Sequence, residues 1–314
     1  MSRSNAPLLP SRFQTALATA VALALLGSTS IVALAQSETH MVTHARGETE
    51  VPTHPQRVVV LEPVQLDTAI ALNIVPVGSP VLNATAGIPK YLGEKAADIA
   101  VVGTFTELKL EAIAALRPDL IIGTEMRFSA LYDQLSAIAP TVFMAAQTDP
   151  WRDNVDFTAR ALGSETGADW LLSAYDARCE DIKLRYGVAG KTAQFIRPRD
   201  TVVSIYAPTS FAGGTLECVG FKIPDREWDD AISSDISPEN ILSATADYVF
   251  IAAANPQDPN AIPPSIQANV ASFPNLFPSA TAYWVSGVGP VGGMAVLDDI
   301  EKALDAVEKA QAAK

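Results

Sequence analysis

The chain has 314 residues, of which 48% are hydrophobic and 18% are charged. That length is too great for one compact core and suits two domains, and the composition excludes a disordered or fibrous protein. The 22 basic and 35 acidic residues give a formal charge of -13. This balance argues against a protein that holds nucleic acid or an anionic membrane through a basic face.

The first 35 residues have the three parts of a secretory signal peptide. Arg3 and Arg12 make the start positive, an apolar run covers residues 15–26, and residues 33–35 (Ala-Leu-Ala) form an A-x-A cleavage site. A polar Gly-Ser-Thr-Ser group interrupts the apolar stretch, which is shorter than the roughly 20 residues of a membrane span. We therefore expect residues 1–35 to be cleaved on export, with an uncleaved anchor helix as the alternative.

The sequence contains two cysteines, Cys179 and Cys218. Two thiols cannot make a four-ligand zinc site alone, but an oxidising compartment permits a disulfide between them if their geometry allows it. No cysteine precedes Cys179 in the sequence, so the lipid-attachment cysteine of bacterial lipoproteins is missing. These features predict an exported protein, periplasmic or at the cell surface, that is not a lipoprotein.

After the polar segment that follows residue 36, short apolar strands alternate with helices. Strands are predicted at 57–62, 119–124 and 141–146, and helices at 65–74, 110–117 and 128–140. Strands that alternate with helices of about 10–15 residues predict a largely parallel sheet with helices on both faces.

Residues 165–186 predict one long helix, because this stretch lacks proline and contains only one glycine. A helix of that length would be about 33 Å long, roughly the length of a small domain. Beyond it, strands are predicted at 193–206, 248–254 and 282–287, and helices at 213–221, 238–245 and 294–311. The predicted fold is α/β, with two α/β lobes, largely parallel sheets and one long connecting α-helix. The predicted boundaries are 36–164 for the first lobe, 165–188 for the connecting helix and 189–314 for the second lobe.

Histidine-dependent catalysis is not expected, because His40, His44 and His54 are the only histidines and all lie before the first lobe's sheet. The three are predicted to be solvated or paired in a hairpin, with metal ligation as the alternative. The sequence has no P-loop, HExxH or GxSxG motif. We therefore predict that the protein is not an enzyme; the alternative is an exported enzyme that uses carboxylates such as Asp229 and Asp230.

Gly287, Gly289 and Gly292 match the G-x-G-x-x-G pattern of dinucleotide-binding proteins. That site also requires a following strand with an acidic residue about 20 positions further on. Here the helix after the glycines runs to the C-terminus, so the nucleotide interpretation is rejected. The glycines are instead predicted to form a tight turn that lines the cleft between the lobes.

Eight motifs follow one another along the chain, at residues 42–62, 74–80, 110–124, 126–143, 151–163, 210–221, 236–251 and 295–304. In this order they resemble the iron-siderophore substrate-binding proteins of ABC importers, the helix-linked class that also includes haem and cobalamin binders. Within the set, R-x-x-x-x-Y-x-Q-L-x-x-I-A-P-T from Arg127 to Thr141 is most similar to the branch that binds ferric citrate and other ferric carboxylates.

The resemblance implies a monomer that clamps a ferric siderophore or other ferric chelate between its lobes and delivers it to an ABC importer. It implies no cofactor and no resident metal, because the iron arrives already wrapped by its chelator. A haem or cobalamin binder of the same fold is the nearest alternative. A surface interaction protein with a vestigial cleft is a further one.

A ferric chelate is usually a bulky anion, which an acidic protein can hold with local cations and aromatic walls. Arginine suits this role because its planar guanidinium binds carboxylate oxygens in pairs and stacks on rings. Arg127 follows the strand at 119–124, at the carboxyl end where α/β sheets bind ligands, and Arg197 is predicted to occupy the corresponding place in the second lobe. The other candidate ligand-binding residues lie at strand ends or in a loop: Tyr206, Trp284, Glu62 and Phe105.

Two positions depart from the resembled branch. Phe128 stands where many relatives have a histidine, and Ser204 stands where a second arginine is frequent. Fewer cations in the cleft predict a less charged chelate than citrate provides. Trp151 is predicted to pack in the core.

Contact with the importer is implied for two acidic residues. By motif, Glu111 and Glu239 match the family positions that present one carboxylate per lobe to arginines of the permease. Each lies near a predicted helix start, where a carboxylate also stabilises the helix dipole.

Overall fold

A computed structural model of the protein describes residues 38–313 except 84, 86, 149, 229 and 230. The predicted signal peptide over residues 1–35 and the carboxylates Asp229 and Asp230 lie outside these described residues. Within them, no helix combines the length and the apolar character that crossing a bilayer requires.

The N-terminal lobe is built on a parallel sheet of five strands. Its strands are β3 (Val58–Val60), β4 (Gly78–Val81), β5 (Ala100–Thr104), β6 (Leu120–Thr124) and β7 (Thr141–Met144), after a hairpin of β1 (Thr39–His44) and β2 (Gly47–Pro52). Its helices are α1 (Pro63–Ala71), α2 (Leu110–Ala115), α3 (Glu125–Phe128), α4 (Tyr132–Ser136) and α5 (Trp151–Ala161), with 3-10 turns at Lys90–Leu92, Glu94–Ala96 and Ser129–Leu131. The strand order is β5-β4-β3-β6-β7.

Alternate side chains of this sheet point to opposite faces, as the two-residue period of a strand requires. Val58, Val60 and Ile122 belong to the core that α1 and α5 cover. Val59 and Ile121 belong to a second core, on the side of α2 and α4. Both faces are therefore buried, which confirms the predicted parallel sheet with helices on each side and explains why its strands are apolar throughout.

The long helix predicted over residues 165–186 is present as α6 (Glu165–Tyr186). It ends at Gly187, whose φ of 58° is the left-handed conformation typical of a glycine after a helix. Cys179 on the buried side of this helix forms a disulfide with Cys218, and their Cα atoms are 5.5 Å apart. The sequence left open whether the two cysteines are bonded, and the structure contains the disulfide, which links the helix to the C-terminal lobe.

The C-terminal lobe contains a mixed sheet of five strands. The strands are β8 (Ala193–Pro198), β9 (Val203–Tyr206), β10 (Ser233–Ile236), β11 (Tyr248–Ala253) and β12 (Leu276–Ala280). The helices are α7 (Phe211–Cys218), α8 (Pro264–Gln267) and α9 (Pro290–Ala312), with 3-10 turns at Pro238–Ala244 and Val270–Ser272 and a π-helical turn at Ala282–Ser286. In the order β10-β9-β8-β11-β12, the strands β8, β11 and β12 are parallel, whereas β9 is antiparallel to both of its neighbours.

Two predicted strands of this lobe are wrong. Residues 193–206 form the antiparallel hairpin β8–β9 rather than one strand, because Pro198 ends β8 and Arg199 donates its backbone N–H to the Val202 carbonyl at 2.8 Å across the turn. Residues 282–287 contain the π-helical turn instead of a strand, since the last strand β12 has already ended at Ala280. Both segments are apolar, but a short apolar run is compatible with either a strand or a helical turn.

A buried carboxylate connects the two lobes. Asp67 of α1 is fully buried and accepts hydrogen bonds from the backbone N–H groups of Val291 at 2.7 Å and Gly292 at 2.8 Å, at the start of α9. The Tyr91 hydroxyl donates to the same carboxylate at 3.0 Å. These bonds satisfy helix N–H groups that would otherwise lack partners, so α9 begins on a side chain of the opposite lobe.

This connection explains the glycine-rich pattern at residues 287–292. A Cβ atom at Gly289 would lie 2.5 Å from the Asp67 carboxylate, and one at Gly292 would lie 1.8 Å from the carbonyl oxygen of Gly287. Gly289 is therefore needed for the close approach of the α9 start to α1, and Gly292 for the close approach of α9 to the turn before it.

Burial raises the pKa of Asp67 from 3.8 to about 7, because desolvation outweighs the three hydrogen bonds that favour the charged form. Between about pH 4 and 7 the folded protein therefore keeps a proton that the unfolded chain releases. The free energy of unfolding is expected to fall as the pH rises through this window. Asp67 is expected to contribute a difference of about one bound proton to the slope of the unfolding free energy against pH. This contribution should be absent in Asp67→Asn, as measured by urea unfolding at several pH values.

Asp247→Asn serves as the control for this measurement. Asp247 also accepts a backbone hydrogen bond, from Thr192 at 2.8 Å, but that bond lowers its pKa. Its replacement should therefore change the pH dependence in the opposite direction. Equal slopes for wild type and Asp67→Asn would contradict the assignment of Asp67.

Candidate functional site

A cavity of about 880 Å³ lies between the two lobes. The segment after each of the five parallel strands of the N-terminal sheet contributes a residue to the cavity wall: Glu62, Leu82, Phe105, Arg127 and Gln147. This is the carboxyl edge of the sheet, where open α/β sheets place their ligands. The C-terminal lobe supplies the facing wall from residues 206–214, 232 and 284–288.

Arg127 and Glu62 form an ion pair in the cavity wall. The Nε of Arg127 donates to Glu62 Oε1 at 2.7 Å, and the Glu62 side chain is fully buried while that of Arg127 is 32% exposed. Burial raises the pKa of Glu62, and the contact with Arg127 opposes this rise. The guanidinium carbon lies 5.7 Å from the centre of the Phe105 ring. Three of the residues predicted for ligand binding are thus brought together.

A second arginine, Arg152, lines the cavity at the first turn of α5. Its guanidinium carbon lies 5.1 Å from the Trp151 ring centre and 5.3 Å from the Tyr175 ring centre. It forms an ion pair with Asp176 of the long helix α6, with Nη1 3.3 Å from Oδ2. Arg152 therefore presents a cation on an aromatic support, next to the helix that connects the lobes.

The sequence analysis did not identify Arg152. Its position in the sequence could have identified it, because Arg152 follows β7 and the ligand side of a parallel sheet is formed by the segments after its strands. Trp151 does pack against the core as predicted, but it lines the cavity as well. Phe211 was also missed, and its ring centre is 5.4 Å from that of Trp151.

Tyr206 and Trp284 both lie in the wall supplied by the C-terminal lobe. Tyr206 is 7% exposed and Trp284 is 1% exposed. The Trp284 ring stacks against Phe195 and Phe250, whose ring centres are 5.0 and 4.8 Å from its own. The indole N–H of Trp284 donates to Asp299 Oδ2 at 3.1 Å. Trp284 therefore gives the wall its shape mainly as a core residue.

Arg197 does not line this cavity. The prediction placed it at the position in the second lobe that corresponds to Arg127. Arg197 lies at the carboxyl end of β8 and pairs with Ser204 near the hairpin turn. The cavity is instead lined by Tyr206, at the end of the hairpin away from the turn.

The two departures from the resembled branch have structural counterparts. Phe128, in place of a histidine, is 4% exposed and packs in the core beneath the sheet. Ser204, in place of an arginine, is buried and donates to Asp235 Oδ1 at 2.6 Å. Neither position supplies a cation to the cavity.

The N-terminal histidines lie apart from one another in the hairpin region. His40 contacts the Arg160 carbonyl at 2.8 Å, and His44 contacts the Thr49 hydroxyl at 2.9 Å. Burial lowers the pKa of His44. Across the described part of the chain, no three side chains of histidine, cysteine, aspartate or glutamate are placed to hold a metal ion together.

Residues 58–263 match the sequence profile of the periplasmic binding protein family. This protein belongs to the periplasmic binding protein family. The matched segment begins at β3 and contains all five strands of the N-terminal sheet, the long helix α6 and the C-terminal lobe as far as the residues before α8.

Relatives of this periplasmic binding protein include siderophore-binding proteins. It is 35% identical over 234 residues, or 71% of each chain, to the Bacillus subtilis protein named "Probable siderophore-binding lipoprotein YfiY". It is 30% identical to the achromobactin-binding periplasmic protein of Dickeya dadantii, over 79% of this chain and 86% of the relative. Both relatives are named as binding proteins, one as a lipoprotein and the other as a periplasmic protein.

A solved structure has the same two-lobe fold. Staphylococcus aureus SirA in complex with staphyloferrin B aligns with a TM-score of 0.70 and 27% identity, over 85% of this chain and 99% of SirA. The predicted fold class is thereby confirmed for this periplasmic binding protein.

Proposed function

We propose that this protein is an extracytoplasmic substrate-binding protein that captures a ferric siderophore or other ferric chelate and delivers it to an ABC importer. The main observation in support is the cavity between the lobes, where the guanidinium groups of Arg127 and Arg152 contact the aromatic rings of Phe105 and Trp151. Guanidinium donors with aromatic support suit the oxygen atoms and planar rings of a chelator. The names of the relatives and of the bound SirA structure point to the same ligand class.

The ligand is held without a covalent step in this proposal, and the iron arrives already chelated. The cavity volume lies within the range of about 300–1,000 Å³ typical of small-molecule sites. The protein acts as a monomer that leaves the cytoplasm by means of its signal peptide. The relatives cited above are named as a siderophore-binding lipoprotein and a periplasmic binding protein, which supports an exported carrier rather than an enzyme.

Transfer to the importer is proposed to use Glu111 and Glu239. Both side chains are exposed, one in each lobe, in the first turn of α2 and of the 3-10 turn at Pro238–Ala244. Hydrogen bonds to its own backbone N–H and to Ser237 lower the pKa of Glu239, which keeps it charged. One exposed carboxylate per lobe would allow paired cations on a permease to recognise both lobes at once.

The function is tested by titrating the purified exported protein with ferric citrate, ferric catecholate, ferric hydroxamate, haem and cobalamin. Trp151 and Trp284 line the cavity, so ligand binding is expected to change tryptophan fluorescence, with calorimetry as a check against light absorption by the ligand. We expect saturable one-to-one binding of a ferric chelate and none of its iron-free form. A folded protein that binds no ferric chelate would contradict the proposal.

A further inference from the structure

Both arginines of the cavity already have a carboxylate partner within the protein. Arg127 is paired with Glu62 at 2.7 Å, and Arg152 is paired with Asp176. The two partners differ in their surroundings, because the Glu62 side chain is fully buried and the Asp176 side chain is 55% exposed. Solvent screens the charge of an exposed carboxylate far more than that of a buried one.

Glu62 cancels the charge of Arg127 without removing its hydrogen-bonding capacity. The guanidinium has five N–H donors in a fixed plane, and the contact with Glu62 uses the one on Nε. Donors on the two terminal nitrogens therefore stay available to ligand oxygens. The second oxygen of Glu62, Oε2, is buried and has no hydrogen-bond partner among the described residues. Arg127 is thus the cation that balances the Glu62 carboxylate, and Glu62 in turn offsets the positive charge that Arg127 would present to a ligand.

The rest of the described wall is mainly apolar or aromatic. Apart from Glu62, Arg127 and Arg152, the described lining residues carry no charge at neutral pH. Leu82 and Ile232, one from each lobe, are 64% and 42% exposed at this wall. Such a wall binds a ligand that has apolar surface of its own.

We propose that Glu62 is a specificity-determining residue that makes the cavity select ferric chelates of low net charge and reject strongly anionic ones. The proposal rests on the proposed function and names its substrate class. A neutral chelate accepts hydrogen bonds from Arg127 and is not repelled by Glu62. A polyanionic chelate receives the same bonds but brings further negative charge close to a buried carboxylate, where the repulsion is weakly screened.

The test compares wild type with Glu62→Gln, which keeps the side-chain shape and an acceptor for Arg127 but removes the charge. Glu125→Gln is the matched control, because Glu125 is also paired with an arginine at 2.7 Å, Arg46, and does not line the cavity. Affinities are measured by calorimetry for a neutral ferric trihydroxamate and for anionic ferric dicitrate and ferric tricatecholate.

Wild type is expected to bind the neutral chelate at least tenfold more tightly than either anion. In Glu62→Gln the affinity for the anions should rise at least tenfold relative to that for the neutral chelate, with a change below twofold in Glu125→Gln. An unchanged ratio in Glu62→Gln overturns the proposal and leaves the proposed function intact. A wild type that prefers an anion also overturns it, even if the variant does not fold. Absence of binding to every ferric chelate overturns the proposed function itself.

Discussion

Replacement of Arg127 by alanine is expected to weaken the binding of the ferric chelate about 100-fold, equivalent to about 2.7 kcal/mol. The variant loses charge-assisted hydrogen bonds to the ligand, and it also leaves Glu62 buried without its cation. Both changes act in the same direction, because an unpaired carboxylate in the wall repels ligand oxygens. The measurement is the dissociation constant of the chelate that wild type binds, determined by calorimetry.

Arg46→Ala is the matched control for this variant. Arg46 is 37% exposed and pairs with Glu125 at the same 2.7 Å, but it lies outside the cavity wall. Its removal should leave the affinity within twofold of wild type. The double variant Arg127→Ala/Glu62→Gln should recover part of the lost affinity, since it no longer contains an unpaired buried charge. Equal affinities for Arg127→Ala and wild type would remove Arg127 from the binding site.

Removal of the disulfide between Cys179 and Cys218 is expected to lower the free energy of unfolding by about 4 kcal/mol. The bond closes a loop with a sequence separation of 39 residues, and a closed loop restricts the unfolded chain more than the folded one. The measurement is urea unfolding of Cys179→Ala/Cys218→Ala, compared with wild type in the presence and absence of a reductant. A difference below about 1 kcal/mol in water would contradict this expectation.

Three of the five strands of the N-terminal sheet were predicted because their sequence signals are local, whereas β4 and β5 were not predicted. Buried strands such as Leu120–Thr124 are apolar throughout, and Arg117-Pro118 marks the end of the preceding helix. The carboxyl-edge rule then placed Arg127 in the cavity wall. The same rule failed for Arg197, because the cavity lies at the end of the C-terminal sheet opposite to the carboxyl end of β8. The hairpin between β8 and β9 was not recognised in the sequence, since its turn contains no glycine.

Long-range contacts account for the other gaps. In the sequence, Asp67 looks like an ordinary polar residue of an amphipathic helix. Its burial could not be predicted, because its partners Val291 and Gly292 are more than 220 positions away. The pairing of Arg152 with Asp176 depends on how α5 packs against α6. At residues 287–292, the need for glycine became clear only from the structure, where a Cβ atom at Gly289 would meet Asp67 and one at Gly292 would meet the carbonyl of Gly287.

The bonds between Asp67 and the start of α9 also affect how fast a ligand can bind. The connecting helix α6 is fastened to the C-terminal lobe by the disulfide, and the start of α9 in that lobe is hydrogen-bonded to Asp67 of the N-terminal lobe. These contacts restrict the movement of the lobes, so the residues of the cavity wall are expected to be largely in place before the ligand binds. Capture then requires little rearrangement, so the association rate is set by diffusion and orientation, in the range of about 10⁵–10⁷ M⁻¹s⁻¹. Differences between ligands would therefore be found mainly in how long each one stays bound.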